Sequence, residues 1–187
     1  MNTKNKEITI LNGNCQDSLI KPVSIVWNTF SKTFGEKAGD YGRSVINTSE
    51  GTIVIAGYKD NPTVERSDFY LIYLSSKGTV EWENTLGGLL RDVGQSVTQT
   101  MDGGFIISGE TFDENLQDGD IYIIKTLNNG SFQWLRKYEL PNNEVGYSII
   151  QTKDGGYLIT GQSYSEVEKK GDMLVIKTNQ TGSPEWT

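Results

Sequence analysis

Three acidic side chains recur in this chain at a constant spacing. Asp40, Asp92 and Glu144 lie 52 residues apart, and each stands two residues before a glycine. Carboxylate oxygens are the ligands that Ca²⁺ and Mg²⁺ prefer, so these residues could form a cation site if the repeats surround a common axis. The same carboxylates could instead accept hydrogen bonds from neighbouring backbone amides. Both interpretations stay open, and Ca²⁺ is the candidate cofactor in the first.

A second pair of carboxylates, Asp102 and Asp154, follows the pattern Thr-x-Asp-Gly-Gly. Asp-Gly is typical of a tight hairpin turn, because glycine accepts a positive φ and the aspartate side chain bonds the backbone two residues on. We predict a structural turn here rather than a calcium or catalytic site. The residues of this prediction are Asp102, Gly103, Gly104, Asp154, Gly155 and Gly156.

The longest and most variable segments are residues 58–67, 110–119 and 162–171. Variable loops on a regular scaffold are common binding sites. Phe112 and Tyr164 share one repeat position there, and Tyr58 and Asp113 lie nearby in the sequence. We predict that these four residues contribute to a surface for a glycan, peptide or protein. An ordinary solvated loop is the alternative.

One tryptophan ends each repeat, at Trp82, Trp134 and Trp186. A tryptophan could stack on a sugar, but its recurrence at a fixed position predicts packing between neighbouring repeats. Lys125 and Lys177 also share a repeat position, and we expect them to contact the neighbouring repeat too.

Composition excludes several classes of chemistry. The 187-residue chain has no histidine, a single cysteine (Cys15) and a net charge of −7. No Ser-His-Asp triad, intrachain disulfide or cysteine metal cage is therefore available. The negative charge disfavours nucleic acid and anionic membranes as partners. No apolar run is long enough for a membrane helix, and no signal peptide is evident.

The repeat itself predicts four short strands in every 52 residues. In the middle copy these are residues 94–100, 105–109, 120–126 and 132–138, separated by turn signals. Four antiparallel strands at this period are typical of a β-propeller blade, so we predict an all-β fold of three blades. The blades span residues 42–86, 94–138 and 146–187 within a segment 27–187, and residues 27–34 form a closing outer strand. Residues 1–26 are an irregular segment or a degenerate half-blade.

The copies follow the pattern G-x-S-[IV]-x-Q-T-x-D-G-G-[FY]-x-[IV]-x-G, then D-x-Y-x-[IV]-K-T and a tryptophan. This pattern resembles the blades of PQQ-like and delta-60-type propellers over residues 30–187. The Thr-x-Asp-x-Gly element also resembles the Asp-box of sialidases, which is a structural hairpin in those enzymes. The first copy departs from the pattern at Glu50, Thr52 and Tyr73. The resemblance implies a surface or secreted protein.

Three blades do not close a ring, since propellers need about four to eight. We therefore expect a homodimer that forms a six-bladed ring; a fragment of a longer propeller is the alternative. The expected function is non-enzymatic binding or scaffolding. A self-assembling repeat without a ligand is the second hypothesis. A sialidase-like or quinoprotein-like enzyme is disfavoured, because no two of the four arginines share a repeat position.

Overall fold

The computed structural model describes residues 31–35, 39–61, 63, 66–112 and 119–187. The chain divides into two compact units, Met1–Phe34 and Gly35–Thr187. The predicted irregular segment 1–26 and residues 27–30 of the predicted closing strand lie outside the described residues. The rest of that predicted strand, residues 31–34, is described and is not in a strand.

The second unit contains three antiparallel sheets of four strands each, which confirms the all-β prediction and the three-fold repeat. Consecutive strands are neighbours in every sheet. The strands are β1 Asp40–Asn47, β2 Ile53–Asn61, β3 Arg66–Leu74 and β4 Val80–Leu86 in the first sheet, β5 Asp92–Gln99, β6 Phe105–Phe112, β7 Gly119–Thr126 and β8 Phe132–Tyr138 in the middle sheet, and β9 Asn143–Gln151, β10 Tyr157–Ser165, β11 Lys170–Thr178 and β12 Pro184–Trp186 in the third. Within the described ranges, no helix is long and apolar enough to cross a membrane.

Strands run further toward one end of the sheets than the sequence pattern predicts. We call this the loop end, where β1, β5 and β9 begin, and we call the opposite end the turn end. Tyr58 and Tyr164, which the sequence pattern places in loops, lie in β2 and β10 and pair with Phe69 and Gly171. The ladder continues because backbone pairing does not require the apolar alternation that the sequence pattern detects.

The first hairpin of each sheet has the same turn geometry. In the middle sheet, Gly103 N donates to Thr100 O at 2.8 Å, and Thr100 N donates to Gly104 O at 2.9 Å. Gly103 has a φ of 81°, a conformation that side chains other than glycine rarely adopt. The equivalent Gly51 and Gly155 have φ values of 78° and 81°, so the Asp-Gly signal has its predicted physical cause.

A β-bulge interrupts the first strand of every sheet at one repeat position. In the middle sheet Gly94 pairs with Gly109 and Ser96 with Ser108, which leaves Gln95 as the extra residue. A Cβ on Gly109 would collide with the carbonyl oxygen of Val93, so the bulge requires glycine in the adjacent strand. The bulged residues in the other two sheets are Arg43 and Tyr147.

Two apolar clusters fill the two interfaces between neighbouring sheets. Phe69 and Leu71 of the first sheet pack with Val97 and Phe105 of the middle sheet in one cluster. The other cluster joins middle-sheet and third-sheet residues, namely Ile106, Ile121, Ile123, Tyr138, Ile149, Tyr157, Ile159 and Ile176. The middle sheet is therefore covered on both faces, which explains its nearly continuous apolar strands.

One backbone-to-amide hydrogen bond recurs at both interfaces. Ser49 N donates to Gln99 Oε1 at 2.8 Å, and Met101 N donates to Gln151 Oε1 at 2.7 Å. The two glutamines lie 52 residues apart, at the last position of β5 and of β9. The first hairpins of the first and middle sheets are thus each held by the first strand of the following sheet.

The outer faces of the first and third sheets are open at positions that are buried in the middle sheet. Ile121 is 0% exposed, whereas Met173, its equivalent in the third sheet, is 85% exposed. Val97 is 2% exposed, whereas Val45, its equivalent in the first sheet, is 66% exposed. The chain therefore has two unlike open faces, each with the residue pattern of one side of an internal interface.

Candidate functional site

The acidic repeat position lies at the loop end, at the start of each first strand. Asp92 is buried, and its Oδ2 accepts a hydrogen bond from Gly88 N at 3.0 Å. Glu144 is buried as well, and its Oε1 accepts from Asn142 N at 3.1 Å and from Ser163 Oγ at 2.9 Å. Both carboxylates thus stabilise the segment that leads into the first strand.

Asp68 and Asp92 approach each other across Gly87. A Cβ on Gly87 would contact oxygen atoms of both carboxylates. Burial raises the pKa of Asp92, hydrogen bonds from Thr111 and Gly88 oppose that rise, and the Asp68 charge adds to it. Burial also raises the pKa of Asp68, against an opposing effect of Arg66. The first interface, between the first and middle sheets, therefore holds two carboxyl groups whose ionised forms are disfavoured.

At the second interface, between the middle and third sheets, the equivalent carboxylate has a charged partner. Asp120 occupies the repeat position of Asp68, and Lys137 Nζ lies 2.8 Å from its Oδ2. The hydrogen bond to Asp120 is the main cause of the raised pKa of Lys137. Thr85 occupies the position of Lys137 in the first sheet. The middle sheet thus supplies a cation to this carboxylate from its own fourth strand.

Of the predicted metal residues, Asp40 and Asp92 are the first residues of β1 and β5, and Glu144 is the second residue of β9. In the part of the chain that the structure describes, no group of three or more Asp, Glu, Cys or His side chains could hold a metal ion. A cation site formed by these residues in a closed ring stays a prediction.

The three bulged residues differ in chemistry, although their backbone position is the same. The Arg43 guanidinium lies over the Tyr58 ring, 5.5 Å from its centre. Gln95 Nε2 donates to Glu110 Oε1 at 3.4 Å, and Tyr147 OH donates to Gln162 Oε1 at 3.4 Å. A bulge changes the direction of a side chain and is frequent next to functional sites. The row of bulges is thus a regular frame that carries different side chains.

The predicted loop-end binding residues are packed to different extents. Tyr58 is buried and stacks on Tyr41 at 4.5 Å, with 17° between the ring planes. Phe112 is half-buried at the end of β6, and the Arg91 guanidinium lies 4.8 Å from its ring centre. Tyr164 is half-buried within β10. The prediction for Asp113 lies outside the described residues.

At the turn end, the predicted turn aspartates each bind a lysine of their own sheet. Lys125 Nζ lies 2.9 Å from Asp102 Oδ2 and donates to Thr126 O at 2.8 Å. Lys177 makes the same two contacts with Asp154 and Thr178, at 2.9 and 2.8 Å. These polar contacts tie the first hairpin to the third strand of the same sheet, and the expected contact of Lys125 and Lys177 with a neighbouring repeat stays a prediction.

Hydrogen bonding sets the ionisation of both turn aspartates. Partial burial opposes ionisation of Asp102, but bonds from Thr100, Lys125 and the Gly104 amide outweigh it, and the pKa of Asp102 is lowered. Bonds from Thr152, Lys177 and the Gly156 amide hold the pKa of Asp154 well below its usual value. Both carboxylates are therefore charged partners in a structural contact.

The first sheet replaces this ion pair with a neutral contact. Thr52 and Tyr73 occupy the positions of Gly104 and Lys125, and Thr52 Oγ1 donates to Tyr73 OH at 2.7 Å. The Tyr73 ring stacks on Trp82, with ring centres 4.8 Å apart and 17° between the planes. The differences at Thr52 and Tyr73 in the first copy are therefore coupled. Together these residues connect the first hairpin to the third strand, as Asp102 and Lys125 do in the middle copy.

The repeated tryptophans lie at the turn end, where the sheets meet. Trp82 lies 6.0 Å from Phe105 of the middle sheet, and Trp134 lies 5.8 Å from Tyr157 of the third sheet. Trp186 in β12 is about half exposed. A cavity of about 320 Å³ opens beside Trp134, between the middle and third sheets.

Comparison with known proteins adds no assignment to this geometry. No protein-family model matches the chain, and no curated protein matches it.

Sequence reasoning missed the bulged residues and the lysine contacts. The bulge gave a weak signal, because residues 43, 95 and 147 vary directly after a glycine present in all three copies. The Lys125–Asp102 contact had a better signal, because the copy that lacks the lysine also lacks the aspartate. Paired differences between copies indicate contacts within a copy.

Proposed function

We propose that this protein is a non-enzymatic β-propeller scaffold that self-associates to complete a ring. A single observation carries the proposal: the outer face of the third sheet exposes the positions that the middle sheet buries against its neighbour. Met173 and Ile150 are exposed there, and half-buried Leu158 and Val175 lie between them. Exposed apolar surface of this kind is typical of an interaction site.

A second copy of the chain is the occupant that the repeat itself favours. The outer face of the first sheet has the pattern that packs against a preceding sheet at both internal interfaces, with Val45 at the position of Val97 and Ile149. Docking the first sheet of one copy on the third sheet of another would reproduce an internal interface. Two copies would then contribute six sheets, a number within the range of closed propellers.

The third sheet also offers an incompletely paired strand. β7 pairs with β8 from Ile121 to Thr126, whereas β11 pairs with β12 only at Lys177 and Thr178. An unpaired strand edge is a template for a strand from another chain. We propose residues 27–34 of the second copy for this edge, because the spacing of the repeat aligns them with β4.

The loop end would be the surface for further partners. Arg43, Gln95 and Tyr147 give three different side chains on one repeated frame, and Phe112 and Tyr164 lie at or near the adjacent strand ends. A glycan, peptide or protein remains the proposed ligand class at this end, and a completed ring without a ligand is the alternative.

Light scattering with size-exclusion chromatography tests the proposal. The wild-type chain should be a dimer at micromolar concentration, and Met173→Asp should be a monomer because it places a charge in the interface. Val167→Asp is the matched control, since Val167 is 93% exposed in the turn between β10 and β11 and should leave the dimer intact. A monomeric wild-type chain would contradict the proposal, as would a Met173→Asp dimer.

A further inference from the structure

The cavity at the second interface has a mixed aromatic and polar lining. Trp134 of β8 and Tyr157 of β10 contribute rings, and Gln133, Gln180 and Asp102 contribute polar groups. Its volume of about 320 Å³ lies near the lower limit of small-molecule sites, which span about 300–1,000 Å³. It lies at the turn end, away from the loop-end surface of the proposed function, and one chain provides every residue that lines it.

The first interface shows what a tryptophan at this position can hold. There the flat ring of Tyr73 lies on Trp82, within the same sheet. In the middle sheet Lys125 replaces Tyr73, and its ammonium turns to Asp102 and to Thr126 O. The Arg136 guanidinium lies 5.6 Å from the centre of the Trp134 ring, but the aromatic side chain that covers Trp82 has no aromatic counterpart there, and the cavity lies beside the Trp134 ring.

The polar groups that line the cavity suit a neutral ligand rather than an ion. Lys125 and Asp102 neutralise each other at 2.9 Å. Glutamine amides offer both donors and acceptors, and the Asp102 carboxylate, whose side chain is 54% exposed, offers acceptors. A ligand with one flat apolar face and many hydroxyl groups would use both kinds of lining.

We infer that the cavity beside Trp134 is a binding site for a neutral saccharide. A pyranose ring would pack its C–H face on the exposed part of the Trp134 ring, in the manner of Tyr73 on Trp82. Its hydroxyl groups would exchange hydrogen bonds with Gln133, Gln180 and Asp102. A cavity of this size supports a dissociation constant on the order of 1 mM for one sugar ring.

Saturation-transfer NMR and calorimetry with methyl glycosides of common neutral hexoses and of N-acetylglucosamine test this inference. At least one glycoside should bind the wild-type chain. Lys125→Tyr should abolish binding, because it places an aromatic ring over Trp134 as in the first sheet. Gln133→Ala should weaken binding about five- to tenfold through a lost hydrogen bond, and it leaves the ion pair intact. Glu81→Ala, at the same repeat position in the first sheet, is the matched control and should bind like wild type.

Several outcomes would overturn the inference. One is that no glycoside binds the wild-type chain at millimolar concentration. Another is that Gln133→Ala and Glu81→Ala both bind like wild type, since the polar lining would then be irrelevant. p-Nitrophenol serves as a probe for a purely aromatic occupant, and its binding in place of every glycoside would also contradict a saccharide site. The oligomeric state has no bearing on these results, so failure of the ring proposal and failure of this inference are distinguishable.

Discussion

The first and middle sheets make the same contacts with different chemistry. At the turn end, the middle sheet ties its first hairpin with the Lys125–Asp102 ion pair, and the first sheet uses the Thr52–Tyr73 hydrogen bond. At the loop end, Lys137 neutralises Asp120, whereas Thr85 occupies the position of Lys137 in the first sheet, where Asp68 is the equivalent carboxylate. The backbone pairing is the same in both sheets, so the difference lies in paired side chains. The two partners of such a contact differ together between the sheets, so a substitution of one partner alone should break the contact.

The largest effect is expected when the middle sheet loses its lysine. Lys125→Met leaves the Thr126 carbonyl oxygen without the ammonium that binds it and frees the Asp102 turn from the third strand. We expect the free energy of unfolding to fall by about 2 kcal/mol, because Lys125 is buried while Asp102 is partly exposed. Urea denaturation measures the change.

The matched control for that substitution is Lys77→Met. Lys77 is exposed in the turn between β3 and β4, so its loss should change stability by less than about 0.5 kcal/mol. Equal effects of Lys77→Met and Lys125→Met would show that the buried contact has no structural role.

A smaller effect is expected for the turn aspartate. Asp102→Asn should lower stability by about 1 kcal/mol at neutral pH through the weakened bonds from Thr100, Lys125 and Gly104. Because the pKa of Asp102 is lowered, the stability it contributes is present above its ordinary pKa of 3.8 and is lost as the pH falls through the folded-state pKa. The difference between wild type and variant should therefore shrink on acidification.

Glu50→Gln in the first sheet is the counterpart, since Glu50 occupies the position of Asp102. The first sheet has no lysine at the Tyr73 position, so this change should leave stability within about 0.5 kcal/mol of wild type at every pH. A pH-dependent loss of stability in Glu50→Gln would mean that Glu50, like Asp102, makes a stabilising contact through its charge, contrary to the proposed difference between the two turns.

The smallest effect is expected from a charge added to the first sheet. Thr85→Lys should place an ammonium beside Asp68 as Lys137 lies beside Asp120, and it should raise stability by about 0.5 kcal/mol. The raised pKa of Asp68 makes its contribution most favourable at low pH and less so as the pH rises from 3.8 through the folded-state pKa. The gain from Thr85→Lys should therefore appear above pH 3.8.

Carboxyl NMR titration gives the direct readout for Asp68. Its midpoint should move down in Thr85→Lys and stay unchanged in the control Thr79→Lys, which adds a lysine in the exposed turn between β3 and β4. An unchanged midpoint in Thr85→Lys would mean that the ammonium does not reach the carboxylate.

Most of the fold was predictable because the same turn and strand signals recur in the three repeats. Gly103 and Gly155 marked turns through their conformational freedom, and the apolar runs of β7 and β11 marked strands. The extensions of β2 and β10 to the loop end were not predictable, since Tyr58 and Tyr164 pair through backbone atoms that any residue provides.

The candidate sites were less predictable than the fold. Phe112 and Tyr58 were recognisable as candidates by their residue type. The guanidinium groups of Arg91 and Arg43 lie over these two rings, respectively. Neither arginine was predictable, because it is distant in sequence from the ring or is of a residue type that gives no specific signal. The cavity beside Trp134 arises from the direction in which Lys125 points. No pattern of residue types encodes the volume that a side chain leaves empty.

The hydrogen bond from each first hairpin to the glutamine of the next sheet has a consequence for copy number. The middle unit offers a hairpin amide, Met101 N, on one side and the Gln99 acceptor on the other, so one copy of it can follow another, whereas the first unit has Asn47 at the glutamine position. This hydrogen bond does not limit the number of units in the array. Inserting one more copy of the middle unit should lengthen the array without a new kind of bond, and the size of the assembly must be limited by geometric closure. Duplication of one gene segment would thus be enough to convert one assembly size into another.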